Sequence, residues 1–128
     1  MKSVVICGSR RFKAEVAKFA KELTKLGVVV YAPYHHSGQE DWETFDREYQ
    51  SFIALGLTHD HFYKIRMADA VFVYNKGGYA GPSTTLEIGF AVALGKPIYA
   101  FAGDEELCRH TLFREIVDTP RELRKRLH

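Results

Sequence analysis

Short apolar runs alternate with amphipathic segments along the chain. Four runs have the length and composition of strands buried on both faces of a sheet; they cover residues 3–7, 28–32, 70–75 and 97–102. Helices are predicted between them, over residues 12–26, 41–55, 58–67 and along the apolar stretch after Pro82. Beyond Gly103 the pattern is weaker and predicts a short helix, a short strand near residues 115–117 and a basic terminal helix from Pro120.

Strands that alternate with helices predict an α/β fold with a parallel sheet and right-handed crossovers. We expect four or five strands in the order 2-1-3-4, extended by 5 where the fifth forms. The order then reverses between the first and third strands, and open α/β sheets bind ligands at that point, beyond the carboxyl ends of the strands. Two loops meet there, at residues 8–11 and 75–83.

Composition sets the broad class of protein. The 128 residues suit a single domain over residues 1–128, and 46% hydrophobic content is ordinary for a globular protein. The net charge of +2 is too small to indicate a nucleic-acid polymer as partner. Cys7 and Cys108 form no disulfide framework, and no apolar stretch reaches the ~20 residues of a membrane span. We therefore expect a cytoplasmic protein without a membrane partner.

The loop at residues 76–82 contains Gly77, Gly78 and Gly81 and leads directly into a helix. Glycines allow a backbone to approach a ligand closely. The start of a helix presents free N–H groups and the positive end of its dipole. This segment predicts a site for an anionic or sugar-like ligand, with Ser83 and Thr84 at the helix start as contacts.

Glu87 is the one charge on an otherwise apolar helix, and two interpretations remain open. Residues 84–87 (TTLE) match the capping-box pattern, in which a Glu returns to the N–H group at the cap of its own helix. Against this, the positions three, four and seven residues later are Phe90, Ala91 and Leu94, so Glu87 points inward. An inward carboxylate beside a glycine-lined cleft is suited to act as a nucleophile or base.

The first loop follows a predicted strand and precedes a helix. Gly8, Ser9 and Arg10 offer N–H groups, a hydroxyl and a cation for a phosphate or a sugar hydroxyl. The alternative is a tight turn that needs glycine for its geometry alone. The loop is neither G-x-G-x-x-G nor a P-loop, which disfavours dinucleotide and ATP chemistry.

His59 and His61 resemble half of a metal site, but they point about 200° apart on a helix, so we expect no metal there. Asp60 or His61 can still reach the crevice as a proton donor, because their helix runs into the third strand. Tyr79 and Tyr34 are candidates to stack on a base ring. The run from Ile88 to Leu94 has no polar side chain on any face, which predicts a homodimer packed through the helix over residues 83–94.

Three segments resemble the nucleoside 2-deoxyribosyltransferase-like superfamily: ICGS at residues 6–9, ADAVFVYN at 68–75 and GGYAGPSTTLEIGFAVALGKPI at 77–98. This superfamily includes the transferases and the 2'-deoxynucleoside 5'-monophosphate N-glycosidases. The resemblance implies a flavodoxin-like, Rossmann-like three-layer sandwich and a catalytic Glu87 that forms a covalent glycosyl-enzyme. It also implies that Gly8, Ser9 and Arg10 contact the sugar or its 5'-phosphate and that Ser83 helps to bind that phosphate. We further expect substrate contacts from Asn75, Gly78, Tyr79 and Thr84, and no cofactor.

Two departures from the superfamily pattern refine the expected reaction. The superfamily has an Asp about eight residues before the Asp that opens the third strand, and here that position is His61, with Asp60 beside it. The acidic residue typical of the transferases before the Glu is replaced by Ser83 and Thr84, which suit a phosphate. We therefore expect cleavage of a (deoxy)nucleoside 5'-monophosphate. The alternatives are base exchange by a nucleoside 2-deoxyribosyltransferase and a nucleotide sensor without activity.

Overall fold

The computed structural model describes residues 2–33 and 39–127 and places five strands in one parallel sheet. The strand order is β2-β1-β3-β4-β5, as predicted with its optional fifth strand. All neighbouring strands pair in parallel, and β1 and β3 lie side by side at the centre. The strands are β1 (Ser3–Gly8), β2 (Val29–Tyr31), β3 (Ala70–Tyr74), β4 (Ile98–Ala100) and β5 (Glu115–Ile116).

The helices connect these strands and cover the sheet. They are α1 (Lys13–Lys25), α2 (Arg47–Met67), α3 (Pro82–Ala93), α4 (Leu107–His110) and α5 (Pro120–Arg126). Three short 3-10 helices, at Arg10–Phe12, Gln39–Thr44 and Lys76–Gly78, complete the connections. None of the helices in the described ranges is long and apolar enough to cross a bilayer.

The side chains of each central strand alternate between two apolar layers. Val4 and Ile6 of β1 pack with α1 and α5, on the side of the sheet that also holds Phe19 and Leu123. Val5 and Cys7 point to the opposite layer, where they pack with α2 and α3. The result is the predicted three-layer flavodoxin-like sandwich. Since β1 ends at Gly8, Cys7 is the last β1 side chain on the α2 and α3 side.

The prediction of two helices over residues 41–55 and 58–67 is wrong. A single helix, α2, begins at Arg47 and continues to Met67, with the side chain of Asp46 accepting a hydrogen bond from the N–H group of Tyr49. Gly56 lies in the gap between the two predicted helices, and nothing lies within 4 Å of the position its Cβ would take, so it sits on an open helix surface. A glycine there costs about 1 kcal/mol against alanine and does not end a helix that packing supports.

Candidate active site

The two predicted loops converge at the carboxyl ends of β1 and β3. A Cβ atom at Gly81 would lie 3.9 Å from Ser9 Oγ and 3.6 Å from the hydroxyl of Tyr79. Gly8 lies at the end of β1, where a Cβ atom would come within 3.2 Å of the Tyr74 carbonyl oxygen. A side chain at position 8 would therefore push β1 and β3 apart. The two loops therefore lie side by side at the switch point of the strand order, as predicted.

Helix α3 begins earlier than the capping-box interpretation of Glu87 requires, and that interpretation is wrong. Its N-cap is Gly81 and its first residue is Pro82, so Glu87 lies in the second turn. The free N–H groups of a helix belong to its first turn. Glu87 is therefore beyond the reach of the cap, and its side chain turns inward toward β1 and α2.

Glu87 meets two side chains from different elements of the fold. One carboxylate oxygen, Oε1, lies 3.8 Å from His61 Nε2, and the same imidazole nitrogen lies 3.3 Å from Cys7 Sγ. Cys7 and His61 are buried, whereas the Glu87 side chain remains 15% exposed. We call Cys7, His61 and Glu87 the inner cluster. Its members come from β1, α2 and the inward face of α3, and Glu87 is the member that solvent partly reaches.

Burial changes the proton affinity of two members of the inner cluster. Desolvation raises the pKa of Glu87 from 4.5 to about 7, and the hydrogen bond with Cys7 opposes this only in part. Burial also raises the pKa of the Cys7 thiol well above its usual value, and the nearby Glu87 carboxylate adds to the shift. Strongly shifted groups in a crevice are typical of functional sites.

The structure brings His61 to Glu87 but does not bring Asp60 there. Successive residues of a helix point about 100° apart, so Asp60 is exposed and forms an ion pair of 2.9 Å with Lys64. Its position argues against the predicted role as proton donor. His59 is exposed as well, so the two histidines do not share a face, as predicted.

Asn75 and Gly78 were predicted to contact substrate, and the structure gives them other partners. The amide of Asn75 is fully buried and exchanges two hydrogen bonds of 2.9 Å with the backbone of Ala102. Gly78 has φ +80, and its Cβ would lie 2.9 Å from the Gly103 carbonyl oxygen. Both residues join the ends of β3 and β4. Their positions do not support a contact with ligand.

The ring of Tyr79 is partly covered by other side chains, which argues against the predicted stacking on a base. The Arg11 guanidinium lies 3.8 Å above its ring, and the Tyr79 and Phe12 rings form a T-shaped pair. Tyr79 and Arg11 thereby connect the two loops through a cation–π contact. Tyr34, the other predicted stacking residue, lies outside the described residues.

The remaining predicted contacts belong to the first loop and to the start of α3. Ser83 and Arg10 are exposed and Ser9 is half-buried, whereas Thr84 is buried. Ser9 Oγ accepts a hydrogen bond of 3.2 Å from the Arg11 N–H group. Gly81 has no side chain to cap α3, and the first turn contains no acidic residue. The positive end of this helix is therefore available to an anion.

Sequence reasoning missed two contributors to the site. Cys7 was predicted only as a buried strand residue, although alternation along β1 places it on the α2 and α3 side at the end of the strand. Arg109 received no role, yet it binds Asp104 at 2.8 Å and donates a hydrogen bond of 3.2 Å to Thr85 Oγ1. It anchors the segment after β4 to α3, and no motif around it indicates this contact.

Comparisons with known proteins agree with this architecture. The family model for nucleoside 2-deoxyribosyltransferase matches residues 6–118. The 2-deoxyribosyltransferase of the psychrotolerant bacterium Bacillus psychrosaccharolyticus is similar in structure, with a TM-score of 0.67, 20% identity, and coverage of 94% of this chain and 89% of that one. A conserved protein from Enterococcus faecalis V583 has a TM-score of 0.60 and 17% identity, covering 99% and 97%. No curated protein sequence matches the chain.

The fold and the site define a flavodoxin-like α/β protein with a buried carboxylate at the ends of its central strands. Structural likeness at 17–20% identity establishes that fold alone. The family model spans most of the chain and therefore establishes the family as well. The protein belongs to the nucleoside 2-deoxyribosyltransferase family, and it is an enzyme of glycosyl transfer or cleavage.

Proposed function

We propose that the protein cleaves the N-glycosidic bond of a (deoxy)nucleoside 5'-monophosphate through a covalent intermediate on Glu87. The products are the free base and the sugar phosphate. The observation that carries this proposal is the inner cluster. A single carboxylate is held on an inward helix face beside an imidazole, and it keeps limited access to solvent.

The reaction divides between Glu87 and His61. The ionised carboxylate of Glu87 attacks C1' of the sugar while the bond from C1' to the base nitrogen breaks and its electrons leave with the base. His61 Nε2 supplies the proton that the departing base needs. Water then attacks C1', the bond to Glu87 breaks, and the water proton returns to His61. A carboxylate in an apolar site stabilises the oxocarbenium-like transition state of both steps.

The start of α3 supports the choice of a 5'-monophosphate. The N-cap residue, Gly81, has no side chain that could accept hydrogen bonds from the N–H groups of the first turn. The hydroxyl of Ser83 in that turn is exposed. Ser9 approaches the same loop, and the next residue, Arg10, carries an exposed positive charge. Hydroxyls, a helix N-terminus and a guanidinium are the groups that bind phosphate monoesters in proteins.

The proposal is tested with matched nucleosides and nucleoside 5'-monophosphates, in ribose and deoxyribose forms. Released base is measured by chromatography, with and without a second free base as acceptor. We expect base release from a monophosphate and little from the corresponding nucleoside. A new nucleoside formed only when an acceptor is present would favour base exchange instead. Tight binding without any base release would contradict the enzymatic proposal.

His61→Ala is expected to slow base release about 100-fold, the usual scale for loss of a general acid. The control is His59→Ala, because His59 lies on the same helix and is exposed. The deciding measurement compares a natural monophosphate with a p-nitrophenyl deoxyriboside 5'-phosphate, whose leaving group needs no proton. The variant should lose kcat mainly on the natural substrate. An equal loss on both substrates would assign His61 a purely structural role.

We further propose a homodimer that covers the outer face of α3. Helix α3 leaves Leu86 63% and Val92 44% exposed, and the adjacent α2 exposes Phe52 and Leu55. Several exposed apolar side chains on two packed helices are typical of an interface. A second copy of the chain would bury this face against itself.

Val92→Asp is expected to convert the dimer to a monomer, because the interface would have to bury an unpaired carboxylate. The mass in solution is measured by light scattering after size-exclusion chromatography. Val29→Asp is the control, since Val29 is 49% exposed on β2, the strand at the edge of the sheet. A monomeric wild type, or a dimer that survives Val92→Asp, would refute the proposed interface.

A further inference from the structure

The inner cluster contains three side chains of the types that bind transition metals. Cys7 comes from β1, His61 from α2 and Glu87 from α3, and one ligand atom of each lies within 4.8 Å of the other two. Within residues 2–33 and 39–127, no other three His, Cys, Asp or Glu side chains form such a group. Three separate elements therefore direct their ligand atoms at one point.

The distances within the cluster fit one small cation. Zinc binds thiolate at about 2.3 Å and imidazole or carboxylate at about 2.0–2.2 Å, so neighbouring ligand atoms in a tetrahedral site lie about 3.3–3.7 Å apart. Here Cys7 Sγ is 3.3 Å from His61 Nε2, and His61 Nε2 is 3.8 Å from Glu87 Oε1. These two distances differ from the tetrahedral values by a few tenths of an ångström at most, and the third, between the Cys7 and Glu87 ligand atoms, is within 4.8 Å.

The chemistry of the three donors selects the class of metal. A thiolate and an imidazole favour Zn²⁺ and similar borderline-soft cations over Mg²⁺ or Ca²⁺, which prefer oxygen ligands. One thiolate and one carboxylate together neutralise a divalent charge, which a buried site requires. The partial exposure of Glu87 leaves a route for the ion and the fourth corner for water.

We propose that Cys7, His61 and Glu87 form a three-ligand site for Zn²⁺ or a cation of the same class, and that the bound cation inhibits the enzyme. An ion on Glu87 occupies the carboxylate that would otherwise attack the sugar. Only this inhibitory consequence rests on the proposed function, because metal binding is measured without substrate or turnover.

The binding site is tested with Co²⁺, which reports thiolate ligation through a charge-transfer band in the near ultraviolet. The tag-free protein is titrated with Co²⁺ and then with Zn²⁺ as competitor. We expect one Co²⁺ per chain with a thiolate band that Zn²⁺ removes. Cys7→Ser should lose the band, and Cys108→Ser should keep it because Cys108 is exposed elsewhere. No band in the wild type, or a band that depends on Cys108, overturns the proposal.

The other two ligands have matched controls of their own. His61→Ala and Glu87→Gln should each weaken Zn²⁺ binding at least tenfold, since even loss of a group that only supports a ligand costs 10–100-fold. His59→Ala and the exposed Glu22→Gln should bind as the wild type does. Affinities are measured by competition with a chromophoric chelator. Unchanged affinity in both His61→Ala and Glu87→Gln contradicts the site.

A measurement on the wild type alone keeps the test decisive if a variant fails to fold. X-ray absorption of the zinc-loaded protein should show one sulfur ligand near 2.3 Å and the rest nitrogen or oxygen near 2.0–2.1 Å. A zinc shell without sulfur overturns the proposal.

Inhibition is then examined by titrating base release with Zn²⁺ and reversing it with EDTA. We expect full inhibition by one Zn²⁺ per chain. Metal binding without inhibition refutes the regulatory claim and leaves the site standing. Absence of base release under metal-free conditions refutes the proposed function and leaves the Co²⁺ result unaffected.

Discussion

Glu87→Gln is expected to reduce base release at least about 1,000-fold while the fold is retained. The amide has the shape of the carboxylate but cannot attack C1' or carry a glycosyl ester, and enzymes that lose a covalent nucleophile lose most of their rate. Because the amide fills the same space beside Cys7 and His61, core packing is preserved. Released base is measured under single-substrate conditions, and circular dichroism confirms the fold.

Glu22→Gln is the matched control for this substitution. Glu22 is exposed on α1, which covers the opposite face of the sheet, so the same chemical change there should leave the rate unaltered. Wild-type protein quenched in acid during turnover should carry the mass of the sugar phosphate, mapped to the peptide with Glu87. Turnover by Glu87→Gln within tenfold of the wild type would end the proposed mechanism.

Most of the fold follows from local pattern, and the departures have physical causes. The apolar runs at residues 3–7 and 70–75 predicted the two central strands, because strands buried on both faces tolerate few polar residues. The gap predicted between residues 55 and 58 was wrong. Gly56 lies on the open surface of α2, and the packing of other residues keeps the helix continuous there. Helix propensity at one residue is a weak force beside the burial of Ile53 and Ile65 on the same helix.

The sequence predicted the direction of Glu87 but not the side chains that surround it. The inward direction of Glu87 could be inferred from its spacing to Phe90 and Ala91, because helical periodicity is a local property. The partners of Glu87 depend on which strand end faces which helix. Cys7 and His61 are 54 positions apart, and only the layered packing brings them together. Asn75 and Gly78 were predicted to contact ligand. The sequence of a glycine-rich loop does not distinguish a loop that binds ligand from one that packs against neighbouring backbone.

The second large effect concerns stability rather than rate. The pKa of Glu87 is raised from 4.5 to about 7 in the folded protein, so the folded state binds its proton more tightly than the unfolded chain does. Between these two pH values the folded state holds the proton that the unfolded state has lost. The contribution of Glu87 to stability is therefore fully present below about pH 4.5 and is lost as the pH rises through 7.

Glu87→Gln is expected to escape this loss, because its amide stays neutral at every pH. At about 1.4 kcal/mol per pH unit, its free energy of unfolding relative to the wild type should rise by about 3 kcal/mol between pH 4.5 and 8. Urea unfolding with EDTA present measures this at both pH values. Glu22→Gln should follow the wild type throughout. Parallel pH profiles for Glu87→Gln and the wild type would show that Glu87 titrates near its ordinary value, which is incompatible with a carboxylate held out of water in the inner cluster.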